Sequence, residues 1–286
     1  MEQKILTAKT LIDAFPFIKQ FTNKIVVIKF GGAAQVDPKL KEKFAKDVAL
    51  LHHVGIKPVI VHGGGKKINQ MLDRLNIQSK FKDGQRVTTK ESMEVVEMVL
   101  SGSINKNITS LINSFGSLAI GINGKDASFM RAKPKNLENF GLTGVITSIN
   151  EKVLLNLIAE NFIPVIAPIA ISEDNSNQSY NINADLAASK IAIALKAQKV
   201  IFLTDTKGVL DKNSNLYSTL YKDEIELLIK DNTIKGGMLP KVEACLEAID
   251  QQVEKAHIID GRIEHSILLE LFTNEGIGTV IKRRNI

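Results

Sequence analysis

The chain has 286 residues, 44% hydrophobic and 24% charged, enough for one large domain or two modest ones of ordinary globular composition. Its net charge of +6 is spread without a basic run or an RNA-binding signature, which points to small anionic ligands and away from nucleic acid. The single Cys245 excludes an internal disulfide, no apolar run approaches the ~20 residues that span a bilayer, and no Cys/His cluster has zinc spacing.

Ile5, Ala8, Ile12, Phe15 and Ile18 carry a helical spacing over residues 3–21, with Pro16 expected to kink or split the helix. An apolar stripe left exposed there would need a partner, such as another subunit. Residues 24–30 read as a buried strand that runs into Gly31-Gly32. Asp37-Pro38 reads as an N-cap with proline at the first helical position, and Leu40, Phe44, Val48 and Leu51 mark the inner face of a helix ending near Gly55. A strand over 57–61 stops at Gly63-Gly64-Gly65, and a helix follows over 65–76. A glycine turn between a strand and a helix N-terminus gathers several N–H groups at one spot, which suits an anion. Two such turns suggest one anion site built from both.

Thr88 with Glu91 reads as a capping box that opens a long helix lined by Met93, Val96, Leu100 and Ile104. Strands are expected over 117–122 and 127–131. Hairpins are expected over 140–149 and 169–182, the second with a polar tip at 173–179, the softest point for a domain boundary. A helix over 151–160 and a strand over 163–167 lie between them. The alternation resumes with a helix over 184–196, a strand over 199–204, helices over 223–230 and 237–254, a strand over 256–260, a helix over 265–273 and a strand over 278–282. Strands alternating with helices predict an α/β fold with a mainly parallel central sheet covered on both faces, and ligands beyond the strands' carboxyl ends.

Neither common nucleotide motif is present: no Gly-x-x-x-x-Gly-Lys-Ser/Thr occurs, and no Gly-x-Gly-x-x-Gly follows a strand. Lys29 sits inside an otherwise apolar strand, either reaching an anion or snorkelling from an edge position. Asn183 or Asp185 could cap a helix or hold a substrate; Gly236-Gly237 with Lys241 could be an anion-binding helix start or a flexible turn. His62 has no nucleophile beside it and reads as a packing or hydrogen-bonding residue rather than a general base.

In combination and in order, several segments resemble the amino acid kinase family. They are Ile28-Lys29-Phe30-Gly31-Gly32-Ala33-Ala34, Val61-His62-Gly63-Gly64-Gly65, Gly84-Gln85-Arg86-Val87-Thr88, Gly124-Lys125-Asp126-Ala127, Asn181-Ile182-Asn183-Ala184-Asp185, Leu203-Thr204-Asp205 and Gly236-Gly237-Met238-Leu239-Pro240-Lys241. The likeness covers nearly the whole chain and is strongest to the arginine-sensitive branch acting on N-acetyl-L-glutamate. It implies a three-layer αβα sandwich that moves the γ-phosphoryl of MgATP onto the side-chain carboxylate of N-acetyl-L-glutamate. It divides the chain into an N-terminal helical extension (1–22), a lobe for the acetylated amino acid and for dimerisation (23–176), and a nucleotide and arginine lobe (177–286).

By the same likeness Lys29, Lys241, Asp185, Gly32 and Gly64 are catalytic. Gly64, Gly65, Arg86, Asn181 and Asn183 contact the acetylamino acid, Arg86 through its α-carboxylate. Lys29, Gly31, Gly32, Thr204, Asp205, Gly237 and Lys241 bind ATP. Magnesium is expected on the phosphates, because no acidic pair marks a metal site in the chain. Lys199, His257, Glu270 and Gly276 line an arginine site, and the N-terminal helix interlaces dimers into a hexamer, a trimer of dimers. Certain members answer to a PII-type nitrogen-signal protein, which is a further candidate partner. Gln35 and Gln85 depart from the family pattern, where methionine and an apolar residue are common. Glutamate 5-kinase, carbamate kinase and a catalytically silent arginine-binding protein are the alternatives. The N-terminus lacks a secretory pattern and is not visibly a transit peptide. The Lys-, Asn- and Ile-rich composition fits an AT-rich coding genome, so the expected compartment is the cytoplasm, or the plastid stroma for an organelle-encoded chain.

Overall fold

The computed structural model describes residues 1–82 and 84–284. Helix α1 (Glu2–Phe21) leads into strand β1 (Ile25–Phe30), a 3-10 turn at Ala33–Gln35, α2 (Pro38–His53), β2 (Lys57–His62) and α3 (Gly65–Arg74). A small ribbon follows, β3 (Lys80–Lys82) with β4 (Gln85–Val87), then α4 (Lys90–Glu97), a π-helical segment at Met98–Ile104, and α5 (Asn105–Asn113). Next come β5 (Ala119–Asn123), β6 (Met130–Pro134), α6 (Leu137–Phe140), β7 (Gly144–Ile149), α7 (Glu151–Ala159), β8 (Ile163–Ala167), β9 (Ile169–Ser172) and β10 (Ser179–Asn181). The chain closes with α8 (Ala184–Ala194), β11 (Lys199–Thr204), β12 (Thr219–Leu220), α9 (Lys222–Lys230), α10 (Leu239–Asp250), β13 (Lys255–Asp260), α11 (Ser266–Phe272) and β14 (Thr279–Lys282). None of the described helices is long and apolar enough to cross a membrane.

Eight strands form the central sheet in the order β12-β14-β13-β11-β1-β2-β8-β5. Its pairings are parallel except that of β13 with β14. The alternation of a strand sorts its side chains between two cores. Val27 joins the layer that holds α8 and α10, while Val26, Ile28 and Phe30 join the layer on the opposite face, where Phe30 stacks on Phe44 of α2. By the same parity Lys29 falls on the Val27 side. Parallel pairing also sets the carboxyl ends of β1, β2 and β11 side by side, with Phe30 opposite His62. Both glycine turns therefore open at one edge of the sheet. A second sheet, β10-β9-β6-β7, flanks the first.

Several expectations move. Pro16 does not split α1. The helix is exposed there, so water can take the Ile12 carbonyl that loses its N–H partner. The strand at 144–149 does not form its own hairpin over 140–149; it pairs antiparallel with β6, and the loop between them holds α6. Periodicity marks a strand but does not name its partner. The long helix after residue 89 is interrupted by a π-helical segment at Met98–Ile104. The β3–β4 ribbon and β12 are short strands without enough alternation to read.

The cap of α4 moves by one residue. Thr89, not Thr88, accepts the N–H of Ser92 at 3.1 Å. Thr88 is fully buried and turns to the neighbouring sheet instead. Thr89→Ala should therefore lower stability by about 1 kcal/mol, read as a lower urea midpoint at unchanged slope. A midpoint equal to that of the unaltered chain would show that the cap contributes nothing.

Candidate active site

Gly63 follows β2, and its N–H donates to the Phe30 carbonyl at 2.9 Å, which binds one glycine turn to the other. Gly32 sits at φ +70°, a conformation glycine adopts freely. At Gly64 a Cβ would lie 2.5 Å from the Ile104 Cδ1 and 2.6 Å from a Leu100 methyl, both on the π-helical segment, so a side chain there would have to push these methyls aside. The two turns line a cleft of about 320 Å³ together with Lys29, Arg86, Asn181, Asn183 and Asp185.

Lys29 meets Asp185 because its parity on β1 points it at the first turn of α8. Lys29 Nζ lies 3.1 Å from Asp185 Oδ1, and Lys241 Nζ, from the first turn of α10, lies 2.7 Å from Oδ2. The snorkelling alternative for Lys29 fails, since β1 is central in the sheet and the residue is 7% exposed. Burial pushes the Asp185 carboxyl upward, but the charges of Lys29 and then Lys241 outweigh it and hold the group below its ordinary value. Asp185 is thus ionised, and the trio carries a net charge of +1, with Lys29 and Asp185 in the cleft wall and Lys241 behind Asp185. Asp185 is the only carboxylate among the described residues lining that cleft.

Arg86 is buried on β4 with its guanidinium over the Phe81 ring at 4.8 Å. It donates to Asn69 Oδ1 at 2.6 Å, to the Ser79 hydroxyl and to the Gly65 carbonyl at 3.4 Å. No carboxylate among the described residues pairs with it, so its charge is available to an anion. Asn181 is oriented by a relay of hydroxyls. The Thr143 hydroxyl donates to the Arg86 carbonyl at 2.6 Å, so Thr88 must donate to Thr143 and accept from Asn181 Nδ2 at 3.0 Å. That leaves Asn181 Oδ1 as an acceptor for the cleft. Asn183 does cap α8, accepting from the N–H groups of Asp185 and Leu186. It also lines the cleft, so both readings of that residue hold.

Thr204, Asp205, Gly237 and Lys241 do not line this cleft with the others; Lys241 joins it only through its ion pair with Asp185. Thr204 ends β11 and Asp205 follows it, where Asp205 Oδ1 accepts the Ala33 N–H at 2.6 Å beside the first glycine turn. Gly237 lies exposed in the 3-10 turn before α10. Sequence reasoning missed Lys66 and Phe81 at the cleft and Asn69 behind Arg86. It noted Gln35 as a departure from the family pattern but gave it no role. Lys66 adjoins the glycine run and could have been suspected; the others carry no local signal.

A second cavity of about 810 Å³ gathers Lys199, His257, Glu270 and Gly276 with Phe17, Gln20 and Phe21 of α1. Lys199 Nζ lies 4.6 Å over the Phe21 ring. Burial, helped by Lys255, draws the Lys199 ammonium down to about 8. His257 Nδ1 bonds Glu270 Oε1 at 2.5 Å, and its buried Nε2 has no hydrogen-bond partner among the described residues. Burial lowers His257 against the pull of Glu270, so the ring is neutral at pH 7 and donates from Nδ1.

The sequence matches the model of the amino acid kinase family over residues 24–260. It is 64% identical to a protein named acetylglutamate kinase from Nitratiruptor sp. and 63% identical to one from Sulfurimonas denitrificans. Each alignment covers 98% of this chain and 99% of the relative. Among solved structures, N-acetylglutamate synthase from Neisseria gonorrhoeae superposes with a TM-score of 0.85 at 22% identity, covering 98% of this chain and 64% of that one. Carbamate kinase from Giardia lamblia bound to AMP-PNP gives 0.69 at 18% identity, covering 91% and 99%. At such identities these structures speak for the fold alone, and they share the α/β sandwich described above. Sequence, fold and the glycine-lined cleft agree, and the chain belongs to the amino acid kinase family.

Proposed function

We propose that this chain transfers the γ-phosphoryl group of MgATP to the side-chain carboxylate of N-acetyl-L-glutamate, giving an acyl phosphate and ADP in arginine biosynthesis. A carboxylate oxygen bonds to the γ-phosphorus as the bond from that phosphorus to the β–γ bridging oxygen breaks. The observation that carries this reading is a cleft with two separate cationic stations, the Lys29–Asp185–Lys241 trio by Gly31 and, by Gly65, Arg86, which pairs with no carboxylate among the described residues. An acceptor with two carboxylates can place one at each. The relatives' shared name selects the acetylated amino acid among such acceptors.

The acceptor carboxylate has a solution pKa near ~4.3 and is ionised at neutral pH, so no general base is needed. The barrier is repulsion between two anions, which positive charge and fixed donors offset. Lys29 spans the β- and γ-phosphoryl region and Lys241 stands at the leaving group. Asp185 sets the spacing of both. Gly31, Gly32 and Gly64 offer N–H groups to the phosphoryl oxygens. Arg86 holds the α-carboxylate, Asn181 Oδ1 accepts from the acetamido N–H, and Gly65 and Asn183 complete the wall. Thr204, Asp205 and Gly237 belong to the nucleotide side, and magnesium rides on the phosphates.

The second cavity favours an additional reading, inhibition by arginine. The Glu270 carboxylate and the open Nε2 of His257 suit a guanidinium and its neighbours, while Lys199 suits a carboxylate. Several apolar residues of α1 remain outward, with Ile12 69% and Phe15 62% exposed, which supports pairing of this helix with other copies in a dimer-based hexamer. A PII-type protein remains a candidate for such an assembly. The reaction belongs to the cytoplasm; the relatives are bacterial, which leaves the plastid alternative without support.

ADP release should be fast with N-acetyl-L-glutamate and at least tenfold slower with free glutamate or carbamate; preference for either of those would overturn the substrate assignment. Lys29→Ala or Lys241→Ala should cut kcat by ~10²–10³, and near-normal turnover would remove that lysine from the mechanism. Arg86→Lys should act mainly on the KM for the acetylated substrate, raising it roughly tenfold for the loss of a bidentate fork. An unchanged KM would place the α-carboxylate elsewhere. Arginine should inhibit, and Lys199→Gln should raise the concentration needed for half-inhibition about tenfold. If arginine has no effect on the unaltered enzyme, the regulatory reading fails while the catalytic one stands.

A further inference from the structure

His62 lies directly behind the glycine turn and is fully buried, yet the transfer reaction gives it no task. Its Nδ1 is 3.0 Å from the Gly63 carbonyl, and its Nε2 is 3.1 Å from Asn105 Nδ2. A carbonyl oxygen only accepts and an amide nitrogen only donates, so the ring must be neutral with its proton on Nδ1. Burial also lowers the ring's pKa to about 4. Asn105 is fixed in turn, since its Nδ2 also donates to the Val165 carbonyl at 2.8 Å.

The Gly63 carbonyl has a second donor. Gln35 Nε2, from the 3-10 turn after the first glycine pair, reaches it at 2.7 Å. Two donors from opposite parts of the site thus grip one carbonyl oxygen. In a trans peptide that carbonyl is antiparallel to the next N–H, which belongs to Gly64. Gly64 N–H has no acceptor among the described residues. Fixing the Gly63 oxygen therefore fixes the direction in which the Gly64 N–H points. Without the clamp a peptide between two glycines would be free to swing.

We infer that His62 and Gln35 are positioning residues, which clamp the Gly63 carbonyl so that the Gly64 N–H is pre-aimed at the phosphoryl group in transfer. The inference rests on the proposed transfer reaction, and turnover of the unaltered enzyme with N-acetyl-L-glutamate tests that reading separately. The clamp acts on a donor used in the transition state, so its loss lowers kcat and spares KM. Gln35 also ties the two glycine turns to each other, a task absent where an apolar residue stands.

The test uses the full-length enzyme with MgATP and N-acetyl-L-glutamate. His62→Gln places its amide near Asn105 but away from the Gly63 oxygen, whereas His62→Asn places an N–H where Nδ1 was. Expected are an about tenfold lower kcat for His62→Gln, recovery to within about threefold for His62→Asn, and both KM values within about twofold throughout. Gln35→Met should lower kcat about threefold, and Gln35→Met with His62→Gln should lower it more than the product of the two single effects, since the carbonyl then has no donor. Thermal unfolding reports whether each variant is folded; should the His62 variants not fold, Gln35→Met and Gln35→Glu carry the same comparison, with Glu lowering kcat further because it opposes one acceptor with another. The inference is overturned if kcat holds within twofold in the folded variants, if KM rises in place of a fall in kcat, or if His62→Asn is no better than His62→Gln.

Discussion

Asp185 is buried, and the charges that keep it ionised are Lys29 and Lys241. Each comes from a different element, so one carboxylate links the central strand β1, the start of α8 and the start of α10. Buried ion pairs often contribute little net stability, because desolvation offsets the attraction. Two cations around one anion are a poor arrangement for stability and a useful one for an anionic ligand. The surplus charge is neutralised when phosphate arrives. The sheet order, the parity of Lys29 and the cap that sets Asp185 on α8 all serve to assemble this surplus at one point.

The parallel sheet divides the molecule's chemistry by strand polarity. The glycine turns and Asp205 lie beyond the carboxyl ends of β1, β2 and β11. The second cavity takes Lys199 from the first position of β11 and Lys255 and His257 from the beginning of β13. A six-residue strand spans roughly 17 Å between these edges. An occupant of the second cavity can influence phosphoryl transfer only through these strands and the helices packed on them, α8 and α10, which carry Asp185 and Lys241. α1 supplies the outer wall through Phe17, Gln20 and Phe21, so any partner that holds this exposed helix also shapes that cavity.

Much of this was legible because backbone chemistry leaves marks in sequence. Consecutive glycines after apolar strands have few other uses, and Lys29 stood out as a charge in an apolar run. The capping of α2 by Asp37 was read from its proline neighbour and is present. Thr88 and Thr89 show the limit. Either hydroxyl could cap α4, and only the approach of Thr143 and Asn181 from other elements decides which one does. Pairing across long loops is similarly hidden, as with β6 and β7. Arg86 was identified by family likeness, but its stacking on Phe81 comes from a three-residue ribbon too short to carry a period.

The glycine turn at 63–65 shows how two demands on one peptide are met separately. Gly64 carries no side chain where the ends of Leu100 and Ile104 already fill the space, so any larger residue would have to displace them. Lacking a side chain, it also lacks restraint, and a donor that swings gives up the benefit of preorganisation. The restraint comes from the preceding carbonyl, held by His62 below and Gln35 across the site. A protonated His62 would still donate from Nδ1, but its Nε2–H would face the N–H of Asn105, donor against donor. Burial disfavours that charged form, so the ring keeps one tautomer across the pH range in which the acceptor carboxylate is ionised. A histidine beside a phosphoryl-transfer site thus serves the reaction as a fixed dipole, while the reacting groups need no proton moved.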